Sequence, residues 1–366
     1  MQLHFPDLAY DCLTCGKGCR AGWHIPIEPD VLPGLAGSQA AQAVQRQGYR
    51  AIELVGERPV LGHKPNGTCV FLRDDQLCQV HAEAGLEAKP LQCQQFPFIP
   101  VNTPDGVYVG LSFLCTAVQR GHGRAAVEHR PQVESLVSRL AAKVGGLSVE
   151  ELRAGKAEIA FTQERNLDWS AYLTVEAQVQ AALQADPYLG LWSACRTLLP
   201  PLDDGLVGDM ILLFTANLVG LAEAGSPAAR QAVSQAVLAG APFPSARLGR
   251  EVTPPPLDSP YLAHAQGCHA LPGWLLDGIR RYLSHLVFRK FLLQGASVLS
   301  QGLALLVLIP LLDFYVRLAS AGREPQADDL YFALDTAEGE LVTHADGVRP
   351  IFAFFESGLR QQAGGQ

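Results

Sequence analysis

Seven of the nine cysteines in this 366-residue chain lie between residues 12 and 115. Thiolate sulfur is a strong ligand for zinc and for iron–sulfur clusters. So many thiols in one segment exceed what core packing requires, and we therefore predict a thiolate site for a metal ion or a cluster. The predicted ligands are Cys12, Cys15, Cys19, Cys69, Cys78, Cys93 and Cys115.

The N-terminal residues indicate which redox state to expect for these thiols. Residues 1–7 have neither the basic beginning nor the apolar core of a signal peptide, so we expect a cytoplasmic protein. Thiols are kept reduced in the cytosol, and an odd number of clustered cysteines also argues against a disulfide framework.

The first three cysteines follow one another closely, as Cys12-x2-Cys15-x3-Cys19. Gly16 and Gly18 allow tight turns between them, so three sulfur atoms can converge from one loop. A 4Fe–4S cluster and a structural zinc site each take four protein ligands. Seven cysteines exceed either number, which leaves open whether some are bystanders or whether there are two metal centres.

Residues 68–72 and 77–81 are strand-like runs on either side of a polar turn. In the simplest hairpin register, Phe71 faces Cys78 and Cys69 is a diagonal neighbour of Cys78, at roughly 7–8 Å. That separation is too large for an unstrained disulfide but suits two ligands of one cluster. The alternative is a pair of small, buried residues on the hairpin face.

The last two cysteines of the segment lie in restricted surroundings. Pro90 and Pro97 restrict the chain around Cys93, and a turn at residues 104–106 predicts a hairpin that leads to Cys115. Three histidines of the same segment are expected to have ordinary polar roles rather than to be ligands: His24, His63 and His81.

The fold predicted for the chain is α+β and mostly α, with a small cysteine-rich, β-hairpin-containing metal-binding domain followed by a helical bundle. Hydrophobic residues make up 48% of the chain and charged residues 17%, which suits compact domains. The predicted domains are a cysteine-rich metal or iron–sulfur cluster domain at residues 1–122, a helical domain at 123–250 and a C-terminal helical region at 261–366. A proline-rich linker, Thr253–Pro260, separates the last two.

Charge and hydropathy exclude two classes of partner. The net charge is −8 and there is no dense run of Lys and Arg, so no nucleic-acid partner is expected. The apolar run Leu303–Leu312 is much shorter than the roughly 20 residues that a membrane span needs. We therefore predict a buried core helix there and no stable membrane insertion.

The cysteine segment resembles a known family in a series of short motifs. They are Cys15-x3-Cys19 followed by Gly22-Trp23, then Cys69-Val70-Phe71-Leu72, Leu77-Cys78-Gln79-Val80, Cys93-x2-Phe96-Pro97 and Leu111-Ser112-x2-Cys115. This series resembles the flagellin lysine-N-methylase family and related cysteine-cluster proteins that chelate zinc or iron. The resemblance covers roughly the first third of the chain.

The resemblance implies that the cysteines hold a 4Fe–4S cluster, with zinc or non-cluster iron as the alternative. It also implies that S-adenosylmethionine is the methyl donor and that the substrate is a lysine of a protein or peptide. The chain differs from the family in having Cys19-Arg20 in place of a cysteine pair. Phe98 after Phe96-Pro97 is closer to the chelating relatives than to the methylases.

Two other classes of function remain open on the sequence. One is a non-catalytic zinc- or iron-chelating protein, and the other is a metal-dependent oxidative enzyme that modifies a peptide or a small molecule. The long helical region favours an enzyme, because chelation needs only the first third of the chain. The sequence identifies no catalytic residue, and Cys195 and Cys268 are expected to be buried or inert.

Overall fold

The structure is a computed structural model that describes residues 2–137, 143–144, 147–148, 153–199, 204–257, 272–343 and 348–364. The chain divides into two compact units. The helical unit comprises Met1–His4, Val101–Gly110 and Ala142–Gln366, and the cysteine unit comprises Phe5–Pro100 and Leu111–Ala141. The predicted α+β class with mostly helical content is confirmed.

Long helices dominate the helical unit. Its helices are Trp169–Ala185, Leu189–Arg196, Asp204–Glu223, Pro227–Ala239, Gly273–Phe288, Val298–Ser320, Ala327–Thr336 and Arg349–Gly364, with a 3-10 turn at Phe291–Leu293 and a π-helical segment at Ala337–Thr343. Its short strands are Leu3–His4, Lys143–Val144, Leu147–Ser148, Ile159–Ala160, Asn166–Leu167, Phe243–Ser245 and Arg250–Val252. Leu3–His4 pairs in parallel with Val107 and Tyr108.

Helix Val298–Ser320 forms the core of the helical unit. It packs against helices Asp204–Glu223, Ala327–Thr336 and Arg349–Gly364. Among the described residues, two helices are long and apolar enough to span a membrane. The most apolar window of Val298–Ser320 is 89% buried within the fold, and that of Gly205–Glu223 is 56% buried. Such burial is typical of core helices, and the predicted core helix over Leu303–Leu312 is confirmed.

The cysteine unit is built from short elements joined by long loops. Its helices are Leu32–Gly37, Gln39–Arg46, Gln79–Ala84, Leu91–Gln95, Thr116–Arg120 and Arg130–Val137, with 3-10 turns at Gly18–Arg20, Leu86–Ala88 and Ala126–His129. Its strands are Ala9–Tyr10, Ile52–Val55, Arg58–Leu61 and Arg124–Ala125. Strands Phe98–Thr103 and Gly106–Leu111, which each include residues of both units, confirm the hairpin predicted around residues 104–106.

A small apolar core holds these elements together. Helix Gln39–Arg46 begins at Ser38, whose hydroxyl oxygen accepts a hydrogen bond from the amide of Ala41 at 3.0 Å. The helix buries its apolar face in a cluster made by Ile27, Leu35, Ala40, Ala41, Val44, Ala51, Leu61, Val70, Phe71 and Val80. This apolar cluster is the surface against which several cysteines pack.

The hairpin register predicted for residues 68–81 is wrong. Leu72 pairs with Cys78 in an isolated bridge, and the second run is the helix Gln79–Ala84 rather than a strand. The turn is longer than predicted because the Asp75 carboxylate accepts a hydrogen bond from the amide of Leu77 at 3.1 Å. Gln76 also has a positive φ of 67°, which ends the extended conformation.

The unit borders differ from the predicted domain borders. The cysteine unit extends to Ala141, beyond the predicted border at residue 122, because helix Arg130–Val137 packs on helix Leu91–Gln95. Residues 142–366 group in one unit. The predicted junction of two helical domains falls between residues 250 and 261, and residues 258–271 lie outside the described part of the chain.

Candidate metal centre

All seven cysteines of the segment line one cavity of about 460 Å³ in the cysteine unit. This volume lies within the range of roughly 300–1,000 Å³ that is usual for ligand pockets. Cys12 and Cys15 are exposed, Cys115 is buried, and the other four are half-buried. The folded chain therefore brings together every residue that the sequence predicted as a ligand.

The first loop follows strand Ala9–Tyr10 and needs unusual backbone conformations. Thr14 has a φ of 51° and Gly16 a φ of 65°. A side chain at Gly16 would meet the Gln76 side-chain oxygen at 2.9 Å, so both space and conformation favour glycine there. The Arg20 guanidinium donates to the carbonyl of Cys15 at 2.7 Å and holds the loop against its own 3-10 turn.

Cys69 is tied to the first loop by the main chain. Its amide donates a hydrogen bond to the carbonyl of Cys19 at 2.8 Å. Its thiol accepts a hydrogen bond from the amide of Phe71, which lies in the apolar cluster. Cys69, Cys78 and Cys93 all pack against that cluster, so a shared apolar surface orients the three side chains.

The short helix Leu91–Gln95 positions Cys93. Both carboxylate oxygens of Glu28 accept hydrogen bonds from the amide of Leu91, at 3.2 and 3.1 Å. The side-chain amide of Gln94 donates to the carbonyl of Lys89 at 2.5 Å. Glu28 is thus the anchor of the helix that carries Cys93.

Cys115 lies at the N-terminus of helix Thr116–Arg120. Its thiol accepts hydrogen bonds from the amides of Ala117 and Val118. Cys12 accepts a comparable bond, from the amide of Thr14 at 3.3 Å. Backbone amides that donate to sulfur stabilise the thiolate form, which is the form that binds metal.

Burial makes uncompensated thiolates unfavourable in this cavity. Desolvation raises the pKa of Cys69 and that of Cys93 to about 12. It also raises the pKa of Cys19, and negative charge on Cys78 adds to that effect. The ammonium of Lys89 acts in the opposite direction on all three thiols. A bound cation would remove the remaining penalty.

The sequence analysis missed several residues of the cavity wall, among them Tyr10, Lys89, Arg124 and His129. Arg124 binds Asp11 through its side chain, with contacts of 2.9 to 3.2 Å, and through its amide at 2.8 Å. His129 lies with its Nε2 atom 2.6 Å from the carbonyl oxygen of Tyr10. Tyr10 and Lys89 lie close in sequence to Cys12 and Cys93, and this proximity could have identified them. No feature of the sequence indicated Arg124 or His129.

The three histidines of the segment and the two remaining cysteines, Cys195 and Cys268, are placed differently from the seven clustered cysteines. His63 and His81 belong to the cavity wall, whereas His24 stands beside His63 with ring centroids 5.7 Å apart. Cys195 is buried in the helical unit, as predicted, and its sulfur lies against Gly302. Cys268 lies outside the described residues.

The donor set suits metals that prefer sulfur, such as zinc and the iron of iron–sulfur clusters. In the part of the chain that the structure describes, no three His, Cys, Asp or Glu side chains are arranged around the position of a single metal ion. The buried side-chain oxygen of Gln76, on the cavity wall, has no hydrogen-bond partner among the described residues. It is an acceptor available to a ligand.

Comparison with known proteins gives one partial similarity and no family. No family model matches the chain. It is similar to an uncharacterized protein of Methanocaldococcus jannaschii, with 26% identity over 122 residues, which is 33% of this chain. The chain spans about 41% of that relative's length. No solved structure matches it.

Proposed function

We propose that this chain is a cytoplasmic iron–sulfur protein that uses S-adenosylmethionine to methylate lysine side chains of a protein or peptide. The observation that carries the cofactor assignment is the convergence of seven cysteines on one cavity. The activity comes from the resemblance of the cysteine motifs to the flagellin lysine-N-methylases.

The surroundings of the thiols support a bound cluster. Cys12, Cys69 and Cys115 each accept a hydrogen bond from a backbone amide. Hydrogen bonds to sulfur, burial and local charge are the means by which proteins stabilise and tune such clusters. The ammonium of Lys89 lies close enough to offset part of the negative charge of the surrounding thiolates.

The transfer itself moves a methyl group from the sulfonium sulfur to a neutral lysine nitrogen. The carbon–sulfur bond breaks as the carbon–nitrogen bond forms, S-adenosylhomocysteine leaves, and the new ammonium loses a proton to solvent. A cluster would supply an electrophilic iron that can bind and orient polar groups of a ligand. In this cavity the free oxygen of Gln76 can accept a hydrogen bond from the ligand's amino group.

Metal content and visible spectrum test the cofactor. The protein is purified without oxygen, and its iron, sulfide and zinc are measured together with its absorbance. We expect brown protein with matching amounts of iron and sulfide. Colourless protein with tightly bound zinc would overturn the iron–sulfur assignment and leave a chelating or structural site.

Ligand binding and product analysis test the activity. On the loaded protein, calorimetric titration with S-adenosylmethionine should give a saturable heat. A lysine-containing protein extract with labelled S-adenosylmethionine should yield methyl-lysine, detected by mass spectrometry. Absence of heat and of methyl-lysine would refute methyl transfer, and oxygen uptake on adding the extract would instead indicate an oxidative enzyme.

A further inference from the structure

A groove of about 330 Å³ lies in the cysteine unit, between the region of helix Leu32–Gly37 and helix Gln79–Ala84. Its volume is within the range of roughly 300–1,000 Å³ that is usual for ligand pockets. Leu35 and Val80 line it and are buried members of the apolar cluster, so the floor of the groove is part of the core of the unit. In the part of the chain that the structure describes, no cysteine lines this groove.

Three exposed carboxylates line the same groove, those of Asp30, Glu83 and Glu87. Glu83 is held in place because one of its oxygens accepts a hydrogen bond from the amide of Gln39 at 2.8 Å. Among the described residues, the carboxylates of Asp30 and Glu87 have neither a hydrogen-bond partner nor an ion-pair partner. No described Lys, Arg or His lines the groove. An apolar floor is thus combined with uncompensated negative charge.

This combination matches the side chains of lysine and arginine. Each has an apolar stem that can cover apolar surface and a cationic head that stays at the water boundary. In the groove, the stem would lie over Leu35 and Val80 while the head meets the carboxylates of Asp30 and Glu87. Phosphate and carboxylate ligands are repelled by the same charges. Charge complementarity therefore favours a basic side chain as the occupant.

We propose that the groove binds a lysine or arginine side chain of the polypeptide substrate, at a position other than the lysine that is methylated. Because no cysteine lines the groove, the side chain held there is not the one that reacts. Val80 lines both the groove and the cysteine cavity, so the two sites share part of a wall. That the polypeptide is a substrate rests on the proposed function, whereas binding of a basic side chain requires only the groove.

Fluorescence anisotropy measures this binding on the natural chain. The protein is titrated into a labelled peptide of alternating lysine and leucine, and into the same peptide with glutamine in place of lysine. We expect saturable binding of the lysine peptide that weakens as salt is added, because exposed charges are screened. Equal affinity for the two peptides would overturn the proposal.

A double variant tests the residues. Asp30→Asn/Glu87→Gln removes both unpaired charges and should weaken binding of the lysine peptide roughly tenfold. Both side chains are exposed, so the melting temperature should stay that of the natural chain. Glu57→Gln is the matched control, because Glu57 is an exposed carboxylate of the same unit that does not line the groove.

Three results would contradict the assignment. The first is unchanged affinity in the double variant, and the second is an equal loss in Glu57→Gln, which would indicate a general effect of charge. The third is calorimetric binding of calcium by a natural chain that does not bind the lysine peptide, which would assign the carboxylates to a cation.

The kinetics of methyl transfer separate this inference from the proposed function. A higher KM with unchanged kcat in the double variant would uphold both. Peptide binding that is lost in the double variant, from a protein that yields no methyl-lysine, would uphold the groove and refute methyl transfer. Methylation with the same KM and kcat in the double variant and the natural chain would uphold the function and refute the groove.

Discussion

The amide of Cys69 donates a hydrogen bond to the carbonyl oxygen of Cys19 at 2.8 Å. This bond joins the first cysteine loop to a segment that lies far along the chain. A main-chain bond does not depend on which side chains surround it, so the two thiols keep their spacing when other cavity residues are substituted. The loop and the apolar cluster therefore behave as one support for the proposed metal site.

Gly123 should be essential for the position of the loop that carries Cys12 and Cys15. A methyl group there would lie 2.2 Å from the amide nitrogen of Asp11, so Gly123→Ala forces the strand before Cys12 away from its partner. We expect weaker binding of metal in the cavity and a lower melting temperature. Gly85→Ala is the matched control, because Gly85 also has a positive φ but has no atom within 4 Å of the added carbon. Equal metal loss in both variants would refute the explanation.

Lys89 should tune the reduction potential of a cluster bound in the cysteine cavity. Its ammonium lies near Cys19, Cys69 and Cys93, and removing that charge disfavours the reduced, more negative state. Lys89→Gln should shift the potential to more negative values, by on the order of tens of millivolts. Redox titration followed by visible absorbance measures the shift. Substitution of the exposed Lys156 by Gln should leave the potential unchanged.

Metal binding should strengthen as the pH rises. The pKa of Cys69 and that of Cys93 are raised to about 12 by burial, so both are protonated at neutral pH when no metal is bound. Each must release its proton to bind as a thiolate, and acid therefore favours release of the metal. Competition with a chelator between about pH 6 and pH 8 should show this direction. Affinity that is constant or falls with pH would show that these thiols are not ligands.

Removal of the metal should increase local opening of the cysteine unit and leave the helical unit unchanged. Its cysteines lie on short elements and loops, whereas helix Val298–Ser320 is buried by its own neighbours in the helical unit. On dialysis against chelator, amide hydrogen exchange should rise in residues 12–20 and 68–95 and stay unchanged in 298–320. Increased exchange throughout the chain would show instead that the metal stabilises both units.

Lys290 should contribute strongly to the stability of the helical unit. Its side chain is fully buried, with its ammonium 2.6 Å from the Glu176 carboxylate and 3.4 Å from the centre of the Tyr108 ring. Lys290→Met leaves Glu176 without its cationic partner and should lower the free energy of unfolding by about 3–5 kcal/mol. Urea unfolding followed by tryptophan fluorescence measures this change. Asp277→Asn, which removes an ion pair whose carboxylate is 71% exposed, should cost less than about 1 kcal/mol.

The features that the sequence predicted correctly are those set by local chemistry. Pro104-Asp105-Gly106 closes a hairpin whatever surrounds it, and the apolar run Leu303–Leu312 is long enough to require burial. The register around Cys78 was predicted wrongly, because the Asp75 carboxylate and the positive φ of Gln76 lengthen the turn. Strand propensities predict neither the hydrogen bond of the Asp75 carboxylate nor the positive φ of Gln76.

The partners of the cysteines depend on contacts that are distant in sequence. Asp11 meets Arg124, and Glu28 caps the helix of Cys93, across intervals over which no local pattern operates. Lys290 and Glu176 pair across a still longer interval. Thiols can be predicted from spacing because the residue type itself is rare, whereas these partners are common residues whose role exists only in the folded chain.

The order of the cysteines along the chain would set when the proposed cofactor can bind. Cys12 leaves the ribosome early, but its neighbour Cys115 and the strand that holds its loop, Arg124–Ala125, follow much later. A nascent chain that has exposed only the first loop offers three thiols without their supports. If all seven cysteines hold a cofactor, its binding could be completed only after synthesis has passed this strand.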